Sequence, residues 1–316
     1  MCRLFLLICF FLFSNSLFSQ FTVINQSEFG VELTFQIEDY KIIDDKLICE
    51  NGIPILEAGN PEILKFNTSI IIDDSKDTEV QILDYNFEII ENVNLAPSLG
   101  NIFRDVDPSN LSPVKGEIYN QNIFYPSSIV ELSDPYIIRS VRGQVINVTP
   151  FQYNPVTKQL KVITDVTFTV SNNSENGINI FDREINMTKD FHEIIKSHFI
   201  NYPQISAAQM YEVLDEDGEM LIISHPNFIN AMADFSDWKL LSGTQNEIVD
   251  VTEIGQNSFD IKSYINTYFD EHPNLTYVIL VGDHDYLPSS STLAGDSDNE
   301  YTYLVEIGRA SCRERV

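Results

Sequence analysis

The run from Leu275 to Pro288, L-T-Y-V-I-L-V-G-D-H-D-Y-L-P, limits the possible folds more than any other stretch of the chain. Its first seven residues carry no charge and are rich in Val, Ile and Tyr, which predicts a buried strand covered on both faces, as in a parallel α/β sheet. The polar turn that follows leaves such a sheet at its carboxyl edge, where ligands of open α/β sheets bind. Asp283, His284 and Asp285 are therefore placed where chemistry is expected.

The residues before this strand alternate short strands with helices. Two strands are predicted, at Met220–Ile223 and Glu247–Ile254. A helix is predicted over Asn227–Leu241, ending at Gly243. One face of this helix is predicted to carry Phe228, Met232, Phe235 and Trp238/Lys239. A second helix is predicted to be capped by Ser258. Its inward face is predicted to consist of Ile261, Ile265, Tyr268 and Phe269. This β-α-β-α-β order predicts the first part of an α/β domain with a parallel sheet.

The amino-terminal half has the pattern of strands instead. Val31–Glu38 alternates apolar and polar residues, which predicts a half-buried antiparallel strand. Similar segments follow at Ile63–Ile72, Glu79–Ile90, Tyr136–Val148 and Leu160–Val170. Turn-forming clusters of Pro, Gly, Asn and Asp separate them. The pattern predicts an all-β sandwich or barrel-like domain, and a chain of 316 residues has room for it beside the α/β domain.

Within this half, Val141–Val162 is predicted to form a hairpin whose turn is Asn154–Lys158. Arg142 and Gly143 are interpreted as structural residues, with the arginine covering a sheet edge and the glycine allowing close backbone approach. Cys49 is interpreted as a small buried strand residue.

A polar loop is predicted at Ser171–Gly177, before a short helix over Asp190–Ile200. Four apolar residues repeat at helical spacing in this helix: Phe191, Ile194, Ile195 and Phe199. Its histidines, His192 and His198, are expected to be solvated or to cap the helix. The weakly patterned residues 201–218 are predicted to be a linker.

Charge and motif content exclude several classes of function. The formal net charge of −28 argues against nucleic-acid binding, which needs clustered Lys and Arg. The segment D-S-D-N-E, with Asp296, Asp298 and Glu300, has the spacing of the first ligands of a calcium loop, but the later glycine and glutamate of an EF-hand are missing. No cofactor is predicted, and calcium stays open.

Residues 1–19 have the features of a secretory signal peptide: Arg3, then an apolar run too short to span a bilayer, then small polar residues. We expect cleavage between Ser19 and Gln20. The protein is therefore predicted to be secreted or held at the cell surface.

Three motifs together resemble gingipain-type cysteine peptidase precursors. One is L-T-Y-V-I-L-V-G-D-H followed by Leu287-Pro288, a second is D-W-K-L-L-S-G at Asp237–Gly243, and a third is the hairpin R-G…P-F-Q-Y-N-P-V-T-K-Q-L. Ser297-Asp298 with Tyr301 is similar to the S-D-x-x-Y of the same family. The resemblance implies a secreted precursor with a β-rich propeptide and a caspase-like α/β catalytic domain.

The resemblance also implies peptide-bond cleavage by a Cys and His pair, expected beyond Val305, so no catalytic residue is assigned in this chain. It makes Asp283, His284 and Asp298 residues that border the site. The implied partners are protein or peptide substrates, the protein's own propeptide and a bacterial secretion machinery. The alternative is a non-catalytic adhesion or secretion-associated protein with the same domains.

The last residues, 306–316, differ from the rest of the chain because three arginines occur within a few residues of one another. We interpret this string as a translated sequencing adapter. The predicted organisation is therefore a signal peptide (1–19), a β-rich propeptide domain (20–200), a linker (201–218), the amino-terminal part of a peptidase domain (219–305) and an artefact (306–316).

Overall fold

A computed structural model describes residues 20–37, 39–102, 106–107, 110–181, 187–202, 218–255, 257–292 and 295–302. The predicted signal peptide before Gln20, residues 203–217 of the predicted linker and the adapter-like tail lie outside the described residues. Among the described helices, none is long and apolar enough to cross a membrane.

The amino-terminal half consists of strands. In chain order these are β1 (Phe21–Ser27), β2 (Gly30–Gln36), β3 (Tyr40–Ile43), β4 (Lys46–Cys49), β5 (Ile53–Pro54), β6 (Leu64–Ile71), β7 (Lys76–Ile90), β8 (Val130–Leu132), β9 (Tyr136–Ile138), β10 (Val141–Val148), β11 (Phe151–Asn154) and β12 (Gln159–Asn176). A 3-10 turn, Glu117–Asn120, lies between the described strands β7 and β8. The prediction of an all-β domain is confirmed.

These strands form two antiparallel sheets and a small hairpin, β3–β4. One sheet has the order β1-β2-β12-β11, with β7 also paired to β12, and the other has the order β5-β6-β10-β8, with β9 also paired to β10. The alternation predicted for β2 is confirmed, because Val31, Leu33 and Phe35 are all buried. The rings of Phe35 and Phe66 meet between the sheets with centroids 5.3 Å apart, so the two sheets share one apolar core.

The predicted bounds of one strand and of one loop in this half were wrong. The predicted strand Tyr136–Val148 is broken into β9 and β10, because Arg139 takes a left-handed φ of 53°. The predicted polar loop Ser171–Gly177 is mostly strand, since β12 continues to Asn176 against β7. In this part of β12, the Asn173 side chain donates to the Asp77 carboxylate of β7. The partner strand therefore stabilises a polar segment that shows no alternation of apolar and polar residues.

The predicted hairpin Val141–Val162 is confirmed only around its turn. β11 and β12 pair, and the Asn154 side chain accepts from the backbone N–H groups of Val156 and Thr157. β10, however, belongs to the other sheet, where it pairs with β6. The chain therefore changes sheets between β10 and β11, a step that local periodicity does not reveal.

One helix, α1 (Lys189–His198), packs on the second sheet. Of the residues at helical spacing, Ile195 and Phe199 are buried, whereas Ile194 is exposed. The chain then stays on this domain through Tyr202, which is buried. The Asn201 side chain both donates to the Ile71 carbonyl and accepts from the Ile71 N–H.

The remaining described residues form β13 (Glu219–Ser224), α2 (Pro226–Leu241), β14 (Asn246–Asp250), α3 (Val251–Ile254), α4 (Ser258–Glu271), β15 (Leu275–Val281), β16 (Ser290–Thr292) and β17 (Gly295–Ser297). β13, β14 and β15 form a parallel sheet in the order β14-β13-β15, which confirms the predicted α/β domain. The inward face predicted for α4 is also confirmed, because all four residues assigned to it are buried: Ile261, Ile265, Tyr268 and Phe269.

The local details of this domain correct the sequence predictions. Asp250 ends β14 and caps α3 by accepting from the Thr252 N–H, so the predicted strand Glu247–Ile254 stops early. Asn257, and not Ser258, caps α4 by accepting from the Asp260 N–H.

One burial prediction was wrong for this domain. β15 lies at an edge of the described three-stranded sheet, with Tyr277 and Val278 exposed, and the strand with consecutive buried residues is the central β13. The face predicted for α2 is half-buried at Phe228, Met232 and Phe235, whereas Trp238 is 58% exposed. Helical spacing sets which residues share a face, while the neighbouring elements decide whether that face is covered.

Candidate functional site

The carboxyl edge of the parallel sheet gathers the polar residues that follow its three strands. His225 follows β13, Asp250 ends β14, and the Asp283-His284-Asp285 turn comes just after β15. Because parallel strands end at the same edge, this is the face on which an α/β sheet carries its ligands.

The turn after β15 is braced from its backbone. The Asp283 carbonyl accepts from the Tyr286 N–H at 3.0 Å and from the Leu287 N–H at 2.8 Å, and buried Leu287 anchors the turn to the core of the domain. The Asp283 carboxylate accepts from the Asp285 N–H at 3.2 Å. His284 is exposed, with its Nδ1 3.2 Å from the Ser289 Oγ. The carboxylate and the imidazole are thus accessible on a hydrogen-bonded turn.

Asp298 lies on a segment that is tied to the same turn. The Tyr301 N–H donates to the Asp298 carbonyl at 3.0 Å, and the Tyr301 hydroxyl donates to the Pro288 carbonyl. Tyr301 is buried, and burial raises the pKa of its phenol above its ordinary value. Tyr301 therefore fixes the segment beside the turn, and the Asp298 side chain remains exposed.

His225 also belongs to this edge and was missed in the sequence. Its ring centroid lies 4.5 Å from that of Tyr286, which comes from the turn after β15. Its Nδ1 accepts from the Asn227 N–H at 3.3 Å, so it caps α2. Pro226, which favours the first position of a helix, was the signal that could have marked His225 as a capping residue.

The described residues offer little support for a metal at this edge. Within the described parts of the chain, no group of three or more His, Cys, Asp and Glu side chains is arranged to hold a metal ion. The side chains of Asp296 and Glu300, from the calcium-like D-S-D-N-E segment, lie outside what is described. A cavity of about 480 Å³ runs along β14 and is lined in part by Glu247, Asp250 and Glu253, but it does not include the Asp283-His284 turn.

The candidates in the β-rich half have structural roles. Cys49 lies in β4, half-buried against the apolar core. His192 is hydrogen-bonded to the Tyr202 hydroxyl at 2.7 Å, and His198 is hydrogen-bonded to the Tyr136 hydroxyl at 2.8 Å. The sequence prediction of solvated or capping histidines did not include these hydrogen bonds.

Arg142 is fully buried, which corrects the interpretation that it covers a sheet edge. Its guanidinium donates to four backbone carbonyls, those of Asp73, Lys76, Ile178 and Asn179. Burial lowers its pKa, and neighbouring aspartates act in the opposite direction. Gly143 lies against the ring of Phe199, where a Cβ would overlap the ring.

Comparison with known sequences decides the family. The sequence model of the family Propeptide_C25 matches residues 30–208, more than half of the 316 residues. The chain belongs to the C25 propeptide family. The model of Peptidase family C25 matches the following residues, 213–314. The β-rich half with Cys49 and Arg142 is therefore the C25 propeptide, and the edge with Asp283 and His284 lies in the peptidase match.

Curated relatives and a solved structure are similar to this chain. Gingipain R1 of Porphyromonas gingivalis is 34% identical over 275 residues, which are 84% of this chain and 27% of the relative. Gingipain R2 of the same species is 34% identical over 276 residues, 84% of this chain and 37% of the relative. The chain thus spans at most 37% of the length of these relatives. The structure "Complex of Porphyromonas gingivalis RgpB pro- and mature domains" matches with a TM-score of 0.53 and 31% identity, over 58% of this chain and 98% of that chain.

Proposed function

We propose that this chain is the amino-terminal part of the precursor of a secreted cysteine endopeptidase. The observation that carries the proposal is the order of the two family matches, a C25 propeptide at residues 30–208 directly followed by Peptidase family C25 from residue 213. A propeptide has a purpose only beside the peptidase that it accompanies. A non-catalytic adhesion protein has no such need.

The catalytic step we propose is nucleophilic attack by a cysteine thiolate on the scissile carbonyl, with a histidine moving the proton and backbone N–H groups stabilising the oxyanion. The Cys and His pair is expected beyond Val305. Cys49 does not fit the role, because it lies half-buried in β4 of the propeptide. Asp283, His284 and Asp298 border the site from the carboxyl edge of the parallel sheet, where ligands of α/β sheets bind.

The propeptide is proposed to bind its own peptidase domain and to keep it latent until the linker is cut. The solved structure of a complex of Porphyromonas gingivalis RgpB pro- and mature domains supports such an arrangement. A tethered propeptide has an effective concentration in about the millimolar range, and cutting the linker removes that advantage. Protein or peptide substrates, export by a bacterial secretion machinery and a secreted or cell-surface location complete the proposal, with no cofactor required and calcium left open.

The proposal is tested on the full-length protein. Purified and with its linker cut, it should hydrolyse unstructured peptides, and an alkylating reagent should abolish the hydrolysis. Replacing Cys49 by serine should leave the rate unchanged, while replacing a cysteine that follows the peptidase sheet should remove it. A complete, folded protein without thiol-dependent hydrolysis would refute the proposal and favour the non-catalytic adhesion role.

A further inference from the structure

The hairpin between β9 and β10 places one arginine against the peptidase half. Ile138 pairs with Val141, so Arg139 and Ser140 form a two-residue hairpin loop. Arg139 has a φ of 53°, the left-handed region that glycine and asparagine adopt readily and that other residues occupy at a cost of about 1 kcal/mol or more. The fold thus holds a long cationic side chain at a position that local backbone preference would assign to glycine.

The Arg139 guanidinium bridges two carbonyls of the peptidase half. Nη1 donates to the Leu275 carbonyl and Nη2 donates to the Pro273 carbonyl, each at 2.6 Å. These carbonyls lie at the amino end of β15, where its register against β13 shifts next to Thr276. Planar guanidinium suits such paired acceptors better than the point charge of lysine.

Aromatic rings from both halves flank the same group. The guanidinium carbon lies 4.5 Å from the ring centre of Phe191 in α1 and 5.8 Å from that of Phe269 in α4. Burial lowers the pKa of Arg139 to about 10, which still leaves it charged at neutral pH. One donor group thus contacts a helix of the propeptide, a helix of the peptidase domain and two peptidase carbonyls.

A second contact lies beside it. Thr276 Oγ1 donates to the Asn274 carbonyl at 3.0 Å, so the Thr188 hydroxyl is the donor in the 3.1 Å bond between Thr188 and Thr276. Thr188 is fully buried at the amino end of α1. Two elements of the propeptide, the hairpin loop and the start of α1, therefore meet the same short peptidase segment.

This contact lies at the amino edge of the parallel sheet, whereas Asp283 and His284 follow the carboxyl end of β15. The seven residues of β15 separate the two edges by about 20 Å at roughly 3.3 Å per residue. A group at the amino edge can hold the peptidase domain without touching the candidate site.

We propose that Arg139 anchors the propeptide on the peptidase domain, through the Pro273 and Leu275 carbonyls at the amino edge of the parallel sheet. This inference rests on the proposed function, since it assigns the anchor of the proposed propeptide complex. It predicts that the affinity between the two halves, after the linker is cut, depends on Arg139.

The test uses the full-length protein with a site for a sequence-specific protease placed within residues 203–217, and with its thiols alkylated. After cleavage, the dissociation constant of the propeptide is measured by biolayer interferometry. Arg139→Gly removes the anchor and also relaxes the left-handed backbone, so the hairpin is expected to fold at least as well. Arg139→Asn tests the same deletion with a polar residue that tolerates this φ.

Each charge-assisted hydrogen bond contributes roughly tenfold to affinity, so both variants should weaken binding by about 100-fold. The matched control is Lys158→Gly, which removes another long cation from a left-handed position, φ 58°, in an exposed turn of the same domain. Its dissociation constant should equal that of the unmodified protein. Binding of Arg139→Gly within threefold of the unmodified protein would overturn the proposal.

Hydrolysis of a peptide by the same protein without alkylation is a separate readout. Weakened binding in Arg139→Gly in a protein that hydrolyses nothing would support the anchor and refute the peptidase. Unchanged binding in an active enzyme would do the reverse.

Discussion

Replacing Arg142 by methionine removes a guanidinium that connects three backbone segments. Arg142 lies in β10, and its donors reach the Asp73 and Lys76 carbonyls before and at the start of β7 and the Ile178 and Asn179 carbonyls after β12. Methionine keeps most of the volume and all of the apolar stem. The substitution therefore isolates the hydrogen bonds from the packing.

The expected loss follows from the number of bonds. A hydrogen bond contributes about 1 kcal/mol net, and more with a charged donor, while the cost of burying the guanidinium offsets part of that excess. Four bonds at about 1 kcal/mol each predict that the free energy of unfolding falls by about 4 kcal/mol. Since a domain has a total of about 5–15 kcal/mol, this loss is a large share of its stability.

Urea unfolding of residues 20–305, followed by far-ultraviolet circular dichroism, measures this loss. With a slope near 2 kcal/mol per molar urea, the transition of the β-rich half should shift down by about 2 M. Trp238, the one tryptophan of the chain, reports the peptidase half separately by fluorescence. Lys41→Met, in exposed β3, is the control and should stay within about 0.5 kcal/mol. A loss below about 1 kcal/mol for Arg142→Met would refute the bracing role.

Three further substitutions test other parts of the structure. Gly143→Ala should destabilise the propeptide by about 1–3 kcal/mol, because the new methyl group overlaps the Phe199 ring, and thermal unfolding measures this. Burial alone would raise the pKa of Asp73, but hydrogen bonds from Ser75 and the Lys76 N–H lower it below its ordinary 3.8. Its charge therefore stabilises the fold above about pH 4, and the stability difference between the unmodified protein and Asp73→Asn should shrink as the pH falls through the lowered pKa. Cys49→Ser should change stability by less than about 2 kcal/mol and leave any hydrolysis intact, and a loss of hydrolysis would contradict the structural role of this residue.

Much of the fold could be predicted because it depends on short-range patterns. Alternation in β2, the helical spacing of the four buried residues of α4 and the uncharged run of β15 each identify an element without knowledge of its neighbours. The position of Asp283 and His284 at the carboxyl edge follows from the same run. His225 was missed because its contact with Tyr286 joins two turns that are distant in sequence.

Predictions failed where a neighbouring element decides the outcome. Polar Ser171–Asn176 is strand because β7 pairs with it, and Tyr277 and Val278 of β15 are exposed at the edge of the described sheet. Neither result can be predicted from the residues themselves, since hydrogen-bond partners and burial belong to the assembled domain.

The sequence by itself determined the two kinds of domain, their order and the edge of the sheet where chemistry is expected. Tertiary structure decided the roles of the two arginines. Arg142 contacts carbonyls more than 30 residues away, and Arg139 contacts Leu275 at a separation of 136 residues. A guanidinium has the same donors wherever it stands in a sequence, so its role depends on which carbonyls the folded chain brings within about 3 Å of it.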